Sequence, residues 1–216
     1  MATRVLLVRH GDTQAGKDGR FTGATDIPLS KEGRVHASEL AVRLARYPVS
    51  AIYASSMQRA MGTAGFIARV HGMEVMPVPE LREMSHGVWD GKTRAEVTEA
   101  FGDEQIQEYN RDPYHFRPKG GESGKEVLQR ALPAMRQLVS AHPDQSIIVA
   151  AHKTTNRLLI CQFLGINPQF YREKLGQRPA CLNVLLFQSE NEEQLLLLND
   201  IGHYAMSDSS DFEYVV

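Results

Sequence analysis

The stretch Val5-Leu6-Leu7-Val8-Arg9-His10-Gly11 decides how this chain folds, because four aliphatic residues run straight into a cationic pair. A short, uninterrupted apolar run is typical of a strand that is buried on both faces, as in a parallel sheet. Arg9 and His10 stand where that strand stops. Ligand sites in open α/β sheets collect beyond the carboxyl ends of the strands. The stretch therefore predicts a class of fold and the edge of the sheet at which a site forms.

Strand-like and helix-like segments alternate along the rest of the chain. Short apolar runs predict strands, and apolar residues at helical spacing predict the helices between them. This alternation favours a mostly parallel central sheet covered by helices on both faces, a three-layer α/β/α sandwich. The predicted strands are 4–8, 50–54, 74–78, 146–151, 182–187 and 194–198, and the predicted helices are 30–47, 56–70 and 154–164, with two more that begin at the capping boxes of Thr93 with Glu96 and Ser123 with Glu126.

Three further predictions concern one helix, one long loop and the carboxyl-terminal segment. Ser30 is predicted as the N-cap of helix 30–47, whose buried face should carry Val35, Leu40, Ala41 and Leu44. The polar and aromatic segment 105–121 is predicted to be a lid over the site, since such loops often set selectivity. Segment 206–216 has no clear period and is expected to be a loose tail.

Composition excludes several classes of function. The 216 residues are 42% hydrophobic, enough for one domain spanning 1–216, and a net charge of -2 offers no basic field for nucleic acid. The longest apolar runs are far shorter than the roughly 20 residues of a membrane helix. The amino terminus lacks the features of a secretory signal, so a cytoplasmic location is expected. Cys161 and Cys181 have no metal or redox spacing and are expected to be buried thiols.

The cationic residues at the strand ends indicate an anionic ligand. Arg9 and Arg59 are the candidate binding residues, because guanidinium groups offer paired donors to phosphate oxygens. His10 is the candidate nucleophile, since a neutral imidazole nitrogen can attack phosphorus and form a covalent phosphoenzyme. Nearby positive charges should disfavour protonation of that ring. His152 follows strand 146–151 in the same way and should stabilise charge on the transferring group.

A leaving alkoxide also needs a proton donor. Glu83, in the stretch LREMSHGVWDG, is the best-placed acid, provided that burial raises its pKa. Asp12 is the alternative, although it is more suited to orienting the loop after His10. The other histidines show no recognisable metal spacing, so neither a metal nor a cofactor is predicted.

Several motifs in fixed order resemble the histidine phosphatase superfamily, also called the phosphoglycerate mutase-like family. The motifs cover roughly residues 4–187 and read LLVRHGDT, RFTGATDIPLSKEGR, IYASSMQRAMGTA, LREMSHGVWDGK, GGES and VAAHKTTNR. The resemblance implies a metal-free phosphohistidine mechanism with His10 as nucleophile, Glu83 as proton donor, and Arg9, Arg59 and His152 around the phosphate. It also implies that the loop at Thr22 and Gly23 approaches the phosphate. The chain resembles the phosphatase branch more than the mutases, which usually carry an ERHYG-like segment where this chain has LREMSHGVWDG.

The chain departs from the family pattern at several positions. Asp12 replaces a usual glutamate, Gly16 an asparagine that often binds phosphate, and Gly62 a glutamate that often follows the second arginine. Lys153 stands where glycine commonly follows the second histidine. We expect Lys153 to contact a substrate carboxylate or a second phosphate.

The favoured function is hydrolysis of a small phosphorylated metabolite such as a phosphosugar, phosphoglycerate or phosphoserine. One alternative is a mutase that returns the phosphoryl group to another hydroxyl of the substrate. The other is a module that binds a phosphorylated ligand without turnover. A homodimer remains open at this stage, and neither nucleic acid nor membrane is expected as a partner.

Overall fold

A computed structural model describes residues 2–189 and 192–204, and a six-stranded sheet forms its centre. The strand order is β3-β2-β4-β1-β5-β6. The first four strands along the chain pair in parallel, and β5 pairs antiparallel with both β1 and β6. The predicted mostly parallel sheet is therefore confirmed. The strands are β1 (Thr3–Arg9), β2 (Ala51–Ala54), β3 (Val75–Pro77), β4 (Ser146–Ala151), β5 (Leu182–Ser189) and β6 (Glu192–Asp200).

Eight α-helices are found in the described residues, with short 3-10 turns at Pro79–Leu81, Gly87–Trp89 and Pro168–Phe170. Both predicted capping boxes are present at the starts of α4 and α6. The helices are α1 (Gln14–Lys17), α2 (Lys31–Leu44), α3 (Gln58–His71), α4 (Arg94–Phe101), α5 (Asp103–Arg111), α6 (Gly124–Ser140), α7 (Lys153–Phe163) and α8 (Tyr171–Lys174).

Alternate residues of β1 face two separate cores. Leu6 and Val8 pack in a cluster with buried side chains of α2 and α3. Val5 and Leu7 pack in a larger cluster with side chains of α6 and α7. Successive side chains of a strand point to opposite faces, so the four-residue apolar run of β1 supplies both cores. This arrangement confirms the three-layer α/β/α sandwich.

Helix α2 corrects one local prediction. Ser30 is its N-cap, with its side chain accepting a hydrogen bond from the Gly33 amide, as expected. Val35, however, is 55% exposed and does not belong to the buried face. It precedes the buried Ala37 by two residues, about 200° around the helix axis. The predicted tail 206–216 lies outside the described residues.

Segment 105–121 is more ordered than a plain loop. Helix α5 occupies its first part, and Tyr109 on that helix is buried against Phe21, Trp89 and Phe116. This helix was not predicted from the sequence. Gly102 separates it from α4 with a φ of +87°, in the region that favours glycine. The chain turns at this residue, so the apolar residues of α4 and α5 do not follow one continuous helical period. Movement of the segment as a lid stays a prediction.

Candidate active site

Two histidines meet at the carboxyl ends of neighbouring strands. β1 pairs in parallel with β4, with Arg9 opposite Ala151 at the last position of each strand. The next residues, His10 and His152, therefore leave the sheet side by side. The His10 amide donates to the Ala151 carbonyl at 3.0 Å, and the two ring centroids lie 5.0 Å apart. The structure thus brings together the two histidines that the sequence analysis singled out.

The hydrogen bonding of His10 fixes which nitrogen can react. Its Nδ1 lies 2.6 Å from the carbonyl oxygen of Gly11. A carbonyl only accepts hydrogen bonds, so Nδ1 carries the proton and Nε2 keeps its lone pair. Burial, followed by the charges of Arg9 and Arg59, lowers the pKa of His10 well below its usual value of 6.5. The ring is therefore neutral at physiological pH, with a free nucleophilic nitrogen.

His152 is fully buried at the N-terminal end of α7. Its Nε2 lies 2.8 Å from the hydroxyl of Ser55, and its Nδ1 is buried with no partner within the part of the chain described. When Ser55 donates to Nε2, the hydrogen of the neutral ring lies on Nδ1. Burial, then the repulsion that a proton on His10 would exert and the charge of Arg59, lower the pKa of His152 well below 6.5.

Two arginines sit beside His10. Arg59, from α3, is fully buried and donates to the carbonyls of Gly23 and Thr25, each at 2.8 Å. Arg9 donates to the carbonyl of Gln177. Both Nε atoms are buried and have no partner among the described residues. These buried donors create a strongly cationic environment that an anion would neutralise.

Glu83 is held in a defined orientation near the two histidines. It is 8% exposed, and its carboxylate accepts from the amides of Met84 at 2.9 Å and Thr154 at 3.1 Å. Thr154 lies in the first turn of α7, two residues after His152, so the carboxylate is tied to the same strand end as that histidine. The rival acid Asp12 accepts from the Thr13 amide at 2.9 Å and is absent from the described residues that line the cavity.

A cavity of about 300 Å³ opens at this edge of the sheet. Of the candidate residues predicted from the sequence, all line it except the fully buried His152 and the alternative acid Asp12. Within residues 2–189 and 192–204, no group of three or more His, Cys, Asp or Glu side chains could hold a metal ion. The lining candidates are Arg9, His10, Thr22, Gly23, Arg59, Glu83 and Lys153.

The cavity also contains residues that the sequence analysis missed. Arg157 follows Lys153 by four residues on α7, and that helical spacing was the one local signal. Arg172 comes from the short helix α8, and Arg94 from the first position of α4. Nothing in the sequence around Arg94 and Arg172 indicates that they share a cavity with His10.

Gly23 is required by the shape of the loop beside the site. Its φ of +42° disfavours other residues, and an added Cβ would lie 1.8 Å from the Asp90 Oδ1 atom. Since Arg59 holds the Gly23 carbonyl, we expect Gly23→Ala to displace the loop and lower kcat/KM by about tenfold or more, from a cost above 1 kcal/mol. Gly72→Ala is the matched control, because Gly72 also has a positive φ but no atom near its Cβ position. An equal loss of activity in both variants would contradict this account.

The two buried neutral histidines also predict a pH dependence of stability. Their pKa values in the folded protein are well below 6.5, whereas each regains a pKa near 6.5 on unfolding. The unfolded chain therefore binds more protons than the folded protein below about pH 6.5. As the pH is lowered through this range, the free energy of unfolding should fall by up to about 1.4 kcal/mol per pH unit for each histidine. Urea unfolding at several pH values measures this slope.

Substitution separates this proton effect from general destabilisation. His152→Gln should reduce the pH slope of the free energy of unfolding. Leu158→Ala, at a buried apolar position on α7, should lower that free energy by about 2–5 kcal/mol at every pH and leave the slope unchanged. If His152→Gln keeps the full slope, buried His152 is not one of the groups that take up protons.

Comparison with known proteins identifies the family to which this fold and this pair of histidines belong. The sequence model of the histidine phosphatase superfamily (branch 1) matches residues 5–201. The chain therefore belongs to the histidine phosphatase superfamily. This confirms the resemblance carried by the ordered motifs.

Named relatives include several phosphatases. Phosphoserine phosphatase 1 of Hydrogenobacter thermophilus is 30% identical over 164 residues, which cover 76% of this chain and 77% of the relative. Glucosyl-3-phosphoglycerate phosphatase of Mycolicibacterium vanbaalenii is 32% identical over 170 residues, covering 76% and 75%. The solved structure of Bacillus stearothermophilus YhfR matches with a TM-score of 0.87 at 25% identity, over 93% of this chain and 98% of that one. Matching relatives also include proteins named 2,3-bisphosphoglycerate-dependent phosphoglycerate mutases.

Proposed function

We propose that the protein is a metal-independent phosphomonoesterase of the histidine acid phosphatase type, in which His10 carries the phosphoryl group. The observation that supports this most directly is the neutral His10 ring, whose Nε2 lone pair is free beside Arg9 and Arg59. The family membership and the phosphatases among the named relatives agree with it. Residues 1–216 are proposed to act as one domain.

The proposed reaction has two displacements. In the first, His10 Nε2 attacks phosphorus, the P–N bond forms and the P–O bond to the leaving group breaks. Glu83 gives its proton to the departing alkoxide oxygen, which leaves as an alcohol. In the second, Glu83 takes a proton from water as the water oxygen attacks phosphorus. The P–N bond then breaks, releasing inorganic phosphate and neutral His10.

The remaining candidate residues stabilise the transferring group. Arg9 and Arg59 hold its oxygens, and His152 donates to it through Nδ1 when Ser55 donates to Nε2 and the ring hydrogen lies on Nδ1. Thr22 and Gly23 form the loop against the phosphate, which Arg59 holds through the Gly23 carbonyl. These donors are in place before substrate binds, so little reorganisation is needed during transfer.

The size of the cavity favours a small substrate. Its 300 Å³ lies at the low end of the roughly 300–1,000 Å³ that ligand sites occupy. A phosphosugar, phosphoglycerate or phosphoserine is therefore a better fit than a phosphoprotein. Lys153 is proposed to contact a carboxylate or second phosphate of that substrate, because its side chain lines the same cavity.

Phosphate release from p-nitrophenyl phosphate in excess EDTA tests this proposal. We expect turnover with and without the chelator, since each step uses a side chain of this chain. Loss of activity with EDTA and its return with added divalent metal would overturn the metal-free mechanism. Absence of turnover under both conditions would favour the module that binds a phosphorylated ligand without reaction.

A mutase is the second candidate, because mutases are among the matching relatives. It uses the same phosphoenzyme but returns the phosphoryl group to a hydroxyl of the substrate. Incubation with 3-phosphoglycerate separates the two functions. Glycerate and phosphate are the products of hydrolysis, whereas 2-phosphoglycerate is the product of the mutase reaction.

A further inference from the structure

The cavity contains more positive charge than one phosphoryl group requires. Beyond Arg9 and Arg59, five further lysine and arginine side chains line it. Arg20 is paired with Glu96 at 2.8 Å, and the other four form the set that we call the outer cluster. Glu83 is the one carboxylate among the described residues of the lining. The outer cluster consists of Arg94, Lys153, Arg157 and Arg172.

The outer cluster has no carboxylate partner of its own. Across residues 2–189 and 192–204, no ion pair within 4.0 Å joins any of its members to Asp or Glu. The Nε of Arg157 is buried and lacks a partner in the same part of the chain. Burial, followed by the charges of Arg9 and Arg157, lowers the pKa of Lys153 to about 8. Unpaired cations that crowd one another are stabilised when an anion enters between them.

Two members of the outer cluster are already held in place by helix α5. The Asn110 Oδ1 atom accepts from Arg94 at 3.2 Å and lies 3.5 Å from an Arg172 nitrogen. The guanidinium carbons of Arg94 and Arg172 lie 6.0 Å and 4.5 Å from the centre of the buried Tyr109 ring. These contacts restrict two long side chains before any ligand arrives, which lowers the entropy lost on binding.

Helix α7 supplies the other two members. Lys153 and Arg157 are four residues apart, so they lie on one face of the helix. Lys153 directly follows His152, and therefore this face begins beside the two histidines. The outer cluster thus extends from the reacting end of the cavity towards α5 and α8.

We propose that the outer cluster binds a second anionic group, a carboxylate or a second phosphate, on the same small molecule whose phosphoryl group is transferred to His10. This inference rests on the proposed function and narrows its substrate class. The substrate is a compact phosphomonoester with an additional oxyanion, rather than the phosphate ester of an uncharged sugar or alkyl alcohol. Arginine suits this role because its planar donors match both carboxylate and phosphate oxygens.

Matched substrates test the second anion in the wild-type protein. 3-Phosphoglycerate and glycerol 3-phosphate differ in one carboxylate, and 1,3-propanediol bisphosphate and propyl phosphate differ in one phosphate. In at least one pair, we expect kcat/KM to be higher for the compound with the second anionic group by about 10- to 100-fold, the effect of one or two charge-assisted hydrogen bonds. The pair with the larger ratio identifies the anion. A ratio near one in both pairs overturns the proposal.

Substitutions assign that preference to the outer cluster. Arg157→Gln and Arg172→Gln should each lower the ratio of kcat/KM values within the preferred pair by about tenfold. The ratio is informative even where a variant loses overall activity. Arg46→Gln is the control, because it removes the same charge from an exposed position away from the cavity, and it should leave the ratio unchanged. If both cavity variants keep the wild-type ratio, the outer cluster does not bind the second anion.

Binding to His10→Ala distinguishes failure of this inference from failure of the proposed function. Calorimetric titration with each member of the preferred pair measures affinity without phosphoryl transfer to position 10. A preference for the compound with the second anionic group that is lost in His10→Ala/Arg157→Gln supports the subsite, even if the wild-type protein proves not to be a phosphatase. Equal affinities for the two compounds overturn the subsite, even if the wild-type protein is an active phosphatase.

Discussion

Replacing His10 by alanine is expected to lower kcat by at least about four orders of magnitude, because the nucleophile of a covalent mechanism is removed. In the folded protein the neighbouring Gly11 carbonyl holds the Nδ1 proton, so Nε2 is the nitrogen that we propose to attack phosphorus. The variant keeps Arg9 and Arg59 and should still bind phosphorylated ligands. The expected result is therefore loss of kcat with retained binding.

The phosphoenzyme provides a direct readout of the same prediction. Wild-type protein mixed with labelled substrate and quenched in alkali should carry a phosphoryl group that is released by acid, as expected for a phosphorus–nitrogen bond. His10→Ala should carry none. His115→Ala, at an exposed histidine on the segment after α5, is the control and should label like wild type. Equal labelling of His10→Ala would place the phosphoryl group on another residue and contradict the mechanism.

Replacing Glu83 by glutamine should lower kcat/KM by about 10²- to 10⁴-fold for alkyl phosphates, which is the usual contribution of a general acid or base. Glutamine preserves the shape of the side chain and can still accept from the amides of Met84 or Thr154, but it cannot supply a proton. The loss in the first step should be much smaller for p-nitrophenyl phosphate, whose leaving group departs without protonation. A dependence on the leaving group is thus the signature of the acid.

Asp12→Asn provides the discriminating comparison, since Asp12 is the rival acid. Its carboxylate accepts from the Thr13 amide within the loop, so we expect a loss that is similar for alkyl and aryl phosphates. The first displacement is measured from the rate of alcohol release in single-turnover experiments. If Asp12→Asn shows the leaving-group dependence and Glu83→Gln does not, the proton donor is Asp12.

Local sequence patterns predicted much of the scaffold but not its contacts. The apolar run of β1 predicted a strand buried on both faces, and its alternate residues supply the two cores. The capping boxes predicted the starts of α4 and α6, because a cap depends on residues only three positions apart. The error at Val35 arose within one helix, where hydrophobic character was taken for membership of the buried face. Hydrophobicity alone does not fix the direction of a side chain.

The candidate site likewise contains some residues that local sequence patterns predicted and others that only tertiary contacts bring into the cavity. The sequence located His10 and His152 at strand ends, because an apolar run that stops at a histidine is a local feature. It could not locate Arg172, which enters the cavity from the short helix α8 and is held by Tyr109 and Asn110 of α5. Those contacts join residues about 60 positions apart, and no local period records them.

The sequence by itself determined the alternation of strands and helices, the residues that end each strand and the family of the chain. Each of these depends on short-range patterns of hydrophobicity or on the order of motifs. The tertiary structure alone decided that β4 lies beside β1, that the Glu83 carboxylate meets the amide of Thr154, and that the four cations of the outer cluster share one cavity. Strand order and side-chain packing are set by contacts between distant segments, and these form only when the whole core is assembled.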